Sequence, residues 1–224
     1  HEVCGANRIS FGMQDFDPEV QRRVNRIQPA ELFHNILTDK VRKMYKEIAF
    51  DFLIGQPGQT TESIKKTCEE VINLKPTLVQ LSLMAYKPWV AKYQIRMLEE
   101  GPLPDFLERK ELLEIIHKKL IAGGYIRTGF ECYSLPGSPM TKAFEAGEAH
   151  YGASGHQPGG RVNFIAVGSS SMSNLGNDYY VQNFYDINSY QKALDKNLLP
   201  SFRGLKLSED DKIRQHTTQQ IRSY

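Results

Sequence analysis

The stretch ISFGMQDFDPEVQRRVNR, residues 9–26, decides how this chain reads. It has the form of a buried strand over 8–13, a turn, and a short helix that carries polar groups back toward the strand's end. Ile9 and Phe11 are strand formers, and Gly12 lets a neighbouring backbone or ligand come close. Gln14 leaves the strand at its C-terminal end, Asp17 suits a helix N-cap, and Pro18 suits the first helical position. Val20 and Val24 share one helical face, and Arg26 follows where the chain turns. An amide at the top of a strand with an arginine nearby is how parallel α/β folds present ligand-binding groups.

Outward from this stretch, residues 29–46 carry a helical pattern, with Phe33, Ile36, Leu37, Val41 and Met44 recurring every three or four positions. IAFDFLIG (48–55) reads as a buried strand, apolar except for Asp51, of the kind found in a parallel sheet covered on both faces. The turn QPGQT leads to a helix capped near Thr60, with Ile64, Cys68, Val71 and Ile72 on one face, and LVQLSLMAY (78–86) is a third strand. The first ninety residues therefore read strand–helix–strand–helix–strand, which implies parallel pairing. Beyond them the spacing predicts an irregular connection over 90–104 and a helix over 105–122 ended by Gly123–Gly124. A short strand follows in YIRTGFECYS, then a loop over 145–162, strands in VNFIAVGSSSMSNLG and DYYVQNF, and helices at 187–196 and after Ser208. The organisation expected is an α/β unit over 1–89, a connection over 90–104, and a smaller α+β domain over 105–224.

The chain has 224 residues, 40% hydrophobic and 24% charged, a globular composition. Its net charge of +2 gives no reason to invoke nucleic acid or an anionic membrane. No apolar run approaches the roughly 20 residues of a membrane span. Three scattered cysteines, Cys4, Cys68 and Cys132, read as reduced thiols of a cytoplasmic protein, and no Cys or His pair has structural-zinc spacing. The chain starts without Met and its last helical pattern runs into Tyr224, so it reads as a fragment.

Asp51 is the sharpest candidate. A carboxylate inside an apolar strand costs several kcal/mol unless it is paired or meets a ligand. There it either accepts two hydrogen bonds from a ribose diol or caps a loop. Gln14 either holds a ligand amide or hydroxyl or braces a loop. Arg26 either clamps a carboxylate or, with Arg22 and Arg23, lines a solvated helix face. GQPGQ lacks the Lys-Ser/Thr ending of a P-loop, which excludes nucleoside triphosphate binding of that kind. Cys68 reads as core, whereas Cys132, in a polar loop-like setting, is open to reaction.

The block NRISFGMQDFDPEVQRRVNRIQ closely resembles the fourth strand and following helix of oxygen-independent coproporphyrinogen III oxidases, radical S-adenosylmethionine (SAM) enzymes of haem biosynthesis. The resemblance continues through FDFLIGQPGQTTES, LSLMAYKPW, LLEIIHKKLIAGGY, VGSSSMSNLG and LPSFRGLKLSEDDKIR, nearly the whole chain. It implies the C-terminal half of a partial (β/α)6 barrel, over 1–89, followed by the smaller domain. By motif it implies SAM-binding roles for Gln14, Arg26, Asp51 and the backbone of Ala85, and a second-SAM contact for Met172. It further implies a 4Fe-4S cluster, an electron donor, a tetrapyrrole substrate, a monomer, and oxidative decarboxylation of propionates to vinyls. The cluster-binding CxxxCxxC loop is absent from this chain, which on its own is expected to be inactive. The family's Asp-His pair is here Glu131-Cys132, and its loop after a His is here Tyr-Gly-Ala-Ser-Gly after His150. A haem-binding, non-catalytic relative and a paralogue acting on another substrate are the alternatives.

Overall fold

A computed structural model describes residues 4–152, 155–159, 163–176 and 178–224, the side chain of Tyr93 excluded. The chain divides into two compact units, one ending at Glu145 and one beginning at Ala146. In the first, strand β1 (Arg8–Gln14) is followed by the short helices α1 (Pro18–Arg23), α2 (Ala30–Ile36) and α3 (Asp39–Met44). Strand β2 (Glu47–Ile54), helix α4 (Thr61–Leu74) and strand β3 (Leu78–Leu83) come next. Then come a 3-10 turn (Lys92–Gln94), α5 (Ile95–Glu99), α6 (Phe106–Ala122), β4 (Ile126–Gly129), β5 (Cys132–Ser134) and α7 (Pro139–Glu145).

The helices start where their sequences cap them. Asp17 accepts from the backbone of Glu19 and Val20 with Pro18 behind it, and Thr60 and Ser63 form a capping box on α4. Asp105 and Glu108 form another on α6. The pattern over 29–46 breaks into α2 and α3, because Leu37 ends the first helix and the Thr38 side chain caps the second. The connection over 90–104 holds a 3-10 turn and α5. YIRTGFECYS forms two strands rather than one, since β4 folds back antiparallel on β5.

β1, β2 and β3 are parallel, and the sheet order is β1-β2-β3-β5-β4. β5 pairs antiparallel with β3, Leu78 facing Ser134 and Gln80 facing Cys132. That ladder, and the burial of Leu112, Ile116 and Leu120 of α6 in the same core, carries the first unit on to Glu145, beyond the expected boundary at 89.

The register gives the sheet two unlike faces. One carries Ile9, Phe11 and Met13, then Ile48, Phe50, Phe52 and Ile54, then Val79, Leu81 and Tyr133, and it packs with Ile64, Cys68 and Val71 of α4. Phe33 of α2 meets Phe50 and Phe16 edge-on at 5.3 Å. Phe33 and Phe50, fully buried, contribute about 1.5–3 kcal/mol each, while Phe16 is partly buried. The other face carries Arg8, Ser10 and Gly12, then Glu47, Ala49 and Asp51, then Gln80, Cys132 and Ser134. IAFDFLIG is thus not apolar on both sides; Ala49 and Leu53 conceal an alternation whose polar members are Glu47 and Asp51.

The second unit holds a hairpin, β6 (His150–Gly152) with β7 (Gly155–Gln157), and a three-stranded antiparallel sheet ordered β10-β9-β8. Its strands are β8 (Met172–Leu175), β9 (Tyr179–Asn183) and β10 (Ser201–Lys206), with helices α8 (Ile187–Asp195) and α9 (Glu209–Ser223). The expected loop over 145–162 contains β6 and β7, while its residues 153, 154 and 160–162 lie outside the described residues. The strand expected around Phe164 is reduced to one bridge with Asn174. No helix among the described residues is long and apolar enough to cross a membrane.

Candidate cofactor-binding site

The site forms where β1 ends. Between Phe11 and Gln14 the strand carries one residue more than its partner, so that Gly12 and Met13 together oppose Asp51. Such a bulge re-aims side chains at a strand's end. Gln14 takes φ 62°, which turns its amide away from the ladder alternation. A Cβ placed on Gly12 would lie 2.8 Å from Gln14 Nε2 and 3.0 Å from Arg26 Nη2. The amide and the guanidinium converge over that glycine. Arg26 Nη2 donates to Gly12 O at 2.7 Å, and its Nε donates to Gln28 Oε1 at 2.5 Å.

Of the three arginines in this stretch, two are neutralised. Arg22 is paired with Glu19 at 2.9 Å and with Glu100 at 3.2 Å, and Arg23 with Glu19 at 2.9 Å. Between them these arginines hold the Glu19 carboxyl down at about 2. Arg26 has no carboxylate partner among the described residues, and its acceptors are a carbonyl and an amide oxygen. Arg22 and Arg26 are exposed and Arg23 is half-buried, so Arg26 differs from the other two in its neutral acceptors rather than in its exposure.

Asp51 lies on the polar face, half-buried, with Oδ2 accepting from Ser10 Oγ at 2.8 Å. Burial holds its carboxyl above the usual carboxylate range, against the opposing pull of the Ser10 hydrogen bond and the Arg8 charge. Deeper along the same face, Glu47 pairs with Arg8 at 2.5 Å and is raised by burial. It stands at the strand's N-terminal end and belongs to the support of the sheet. Ala85, two residues past β3, is exposed; its carbonyl accepts from Gln94 Nε2 at 3.0 Å. The first unit therefore carries Gln14, Arg26, Asp51 and Ala85. Met172 lies in the second unit, on β8, lining a cavity of about 440 Å³ with Tyr180, Gln182 and Arg203.

Sequence reading missed the residues that hold this loop in place. Asp15 is 1% exposed, and its Oδ1 accepts from Asp17 N at 2.8 Å and Thr67 Oγ1 at 2.7 Å. Its Oδ2 accepts from Gln59 Nε2 at 2.7 Å. Burial raises its carboxyl, opposed by these hydrogen bonds. Gln59 Oε1 in turn accepts from Gly55 N at 2.7 Å and Gln56 N at 3.0 Å. Two of the backbone amides of GQPGQ are thus occupied by the protein's own side chain. A signal was present in Asp15 following directly on the strand's last residue, but its partners lie 44 and 52 residues away.

Cys132 corrects the expectation of a reactive thiol. It sits inside β5, fully buried, and burial pushes its thiol up to about 12. Cys68 is core, as expected, and burial raises it to about 12 as well. Among the described residues no group of three His, Cys, Asp or Glu could hold a metal ion. An iron–sulfur cluster therefore does not fit the described residues of this chain. Asp51 offers a half-buried carboxylate and Arg26 a guanidinium without an acidic partner among the described residues. A groove of about 760 Å³ between α6 and the β4–β5 turn, lined by Leu83, Phe106 and Phe130, includes Glu131 but none of Gln14, Arg26, Asp51, Ala85 and Met172.

No family model matches the chain. The chain is 35% identical over 221 residues to the oxygen-independent coproporphyrinogen III oxidase of Helicobacter pylori, covering 98% of this chain and 48% of that protein. It is 35% identical over 217 residues to the enzyme of Pseudomonas aeruginosa, covering 97% of this chain and 47% of that one. A solved structure of coproporphyrinogen III oxidase from Escherichia coli, described as a radical SAM enzyme, superposes with a TM-score of 0.84 at 28% identity. It matches over 97% of this chain and 50% of that one. The chain spans about half the length of the curated relatives it matches.

Proposed function

The chain belongs by sequence and fold with the oxygen-independent coproporphyrinogen III oxidases, radical SAM oxidoreductases of which it spans about half, and on that premise we propose that it forms the SAM-holding side of such an enzyme. When bound, SAM and a 4Fe-4S cluster supply the one-electron cleavage chemistry that starts oxidative decarboxylation of coproporphyrinogen III propionates to vinyls. In this reading the described residues supply no set of cluster ligands. A tetrapyrrole substrate, an electron donor, a monomeric state and a cytoplasmic location go with this reading.

The observation that carries it is the convergence of Gln14 and Arg26 over Gly12, beside the bulge that faces Asp51. In this reading Arg26 receives the amino-acid carboxylate of SAM, Asp51 accepts from its ribose hydroxyls, and Gln14 donates to or accepts from the ribose edge. Ala85 offers its carbonyl oxygen to the adenine or sulfonium side. Met172 is proposed as a contact to a second SAM. Each group binds or orients, and none moves a proton. The half-buried setting of Asp51 strengthens its hydrogen bonds by keeping part of the solvent away.

Calorimetric titration of this chain with SAM, comparing wild type with Asp51→Ala, tests the reading. Hydrogen bonds to a charged acceptor contribute about 1.5–3 kcal/mol, so affinity should fall by roughly tenfold to a hundredfold. Equal affinity in the two proteins would remove Asp51 from the site.

A further inference from the structure

We propose that Gln21 and Gln28 are positioning residues that set the guanidinium of Arg26 for a carboxylate, an inference resting on the reading that Arg26 faces the carboxylate of SAM. Gln21 is an amide on the short helix α1, only 4% exposed, where an apolar residue would be expected. Its Nε2 donates to Asp15 O at 2.8 Å and to Gln28 O at 2.7 Å, while its Oε1 accepts from Gln28 N at 2.9 Å. It therefore grips the backbone of residue 28 at both its donor and its acceptor, and ties that residue to the loop leaving β1. The side chain of Gln28 then accepts from Arg26 Nε.

The chain of contacts runs Asp15, Gln21, Gln28, Arg26, Gly12, and it returns to the strand from which it started. Asn25, at φ 52°, makes the reversal that lets residues 26–28 come back. The guanidinium is consequently fixed at two of its three nitrogens, and Nη1 has no protein hydrogen bond among the described residues. An arginine loses much rotamer freedom when it is fixed, and holding it in place before the ligand arrives removes much of that cost from binding. A buried amide with both ends satisfied by one distant residue's backbone serves no apolar packing purpose. Its placement makes sense as a brace for the residue beyond.

The test compares Gln28→Ala with wild type in two measurements. Gln28 is half-buried and its backbone bonds to Gln21 survive the substitution, so the variant folds. First, the 15N-detected Nε–H signal of Arg26 is followed without ligand. Protection from solvent exchange in wild type and its loss in Gln28→Ala are expected; the same exchange rate in both overturns the positioning role. Second, SAM and decarboxylated SAM are titrated against each. The variant should lose about tenfold for SAM and less than about twofold for the decarboxylated compound. Equal losses for both ligands, or none, overturn the proposal. If wild type itself does not discriminate between the two ligands, the carboxylate reading of Arg26 falls, and the exchange measurement still decides whether Gln28 holds the guanidinium.

Discussion

Asp15→Ala should lower the folding stability of this chain by about 2–4 kcal/mol. The substitution leaves three donors without their acceptor: Asp17 N, Gln59 Nε2 and Thr67 Oγ1. Each donor left unsatisfied in the interior costs about 1–3 kcal/mol. The full sum is not reached. Asp17 is only half-buried and can reach water, and Thr67 Oγ1 keeps the bond it accepts from Phe16 N at 3.2 Å. Removing the carboxylate also removes its own desolvation, which works in the variant's favour. Gln59 Nε2 keeps its bond to Leu53 O at 2.8 Å, but its other hydrogen finds no new acceptor by turning the amide, because that would give up the bonds from Gly55 and Gln56. Urea unfolding followed by circular dichroism measures the loss, with Thr67→Val as the control at about 1 kcal/mol. The pH dependence has a defined sign. The folded-state carboxyl is raised above its usual 3.8, so the stability it contributes falls as pH rises between that value and the raised one. The advantage of wild type over Asp15→Ala is therefore greatest at the acid edge of that window and smaller at neutral pH. A variant within about 0.5 kcal/mol of wild type, too small for even one orphaned donor, would refute the account of Asp15 as the anchor of this loop.

Gly12→Ala should fold with a change of about 1 kcal/mol or less, since the atoms its Cβ meets are the ends of flexible side chains, yet it should bind SAM at least about tenfold more weakly; a calorimetric titration beside a thermal melt separates the two effects. Asp51→Asn should be at least as stable as wild type at neutral pH, because burial raises the carboxyl and stability falls as pH rises above 3.8 through the raised value; parallel pH–stability curves for the two proteins would contradict this. Gly123→Ala should destabilise by about 1–3 kcal/mol, because its Cβ would lie 2.7 Å from Ile72 Cδ1 where α6 packs on α4, and Ile72→Ala in the same chain should recover part of the loss in thermal unfolding. Of the three thiols, Cys4 is exposed and lowered by its backbone hydrogen bond at Ala6, so it should react with a disulfide reagent in the native chain, while Cys68 and Cys132 react only on unfolding; fast labelling of all three would show that the core is open.

What the sequence by itself determined here is local. The caps at Asp17, Thr60, Asp105 and Ser208 are satisfied by backbone groups two to three residues away, so the residues that decide them are neighbours in the chain. The parallel order of β1, β2 and β3 follows in the same way from strands separated by helices. Gln14, Asp51 and Arg26 stood out as polar groups at strand ends or inside an apolar run. The tertiary structure alone decided which of them meet. It set the local β4–β5 hairpin against β3 and so carried the first unit past residue 89, through β3–β5 pairing between residues more than fifty apart. It separated the two faces of β2, whose alternation Ala49 and Leu53 hide, and moved Cys132 from an apparent loop into the core. It also gave the three arginines different partners, supplying Glu100 to Arg22 from 78 residues away and leaving Arg26 with neutral acceptors. The physical reason is one of range: capping and periodicity are settled within a turn or two of backbone, whereas charge pairing, desolvation and the satisfaction of a buried amide depend on groups that only the folded chain brings within 3 Å.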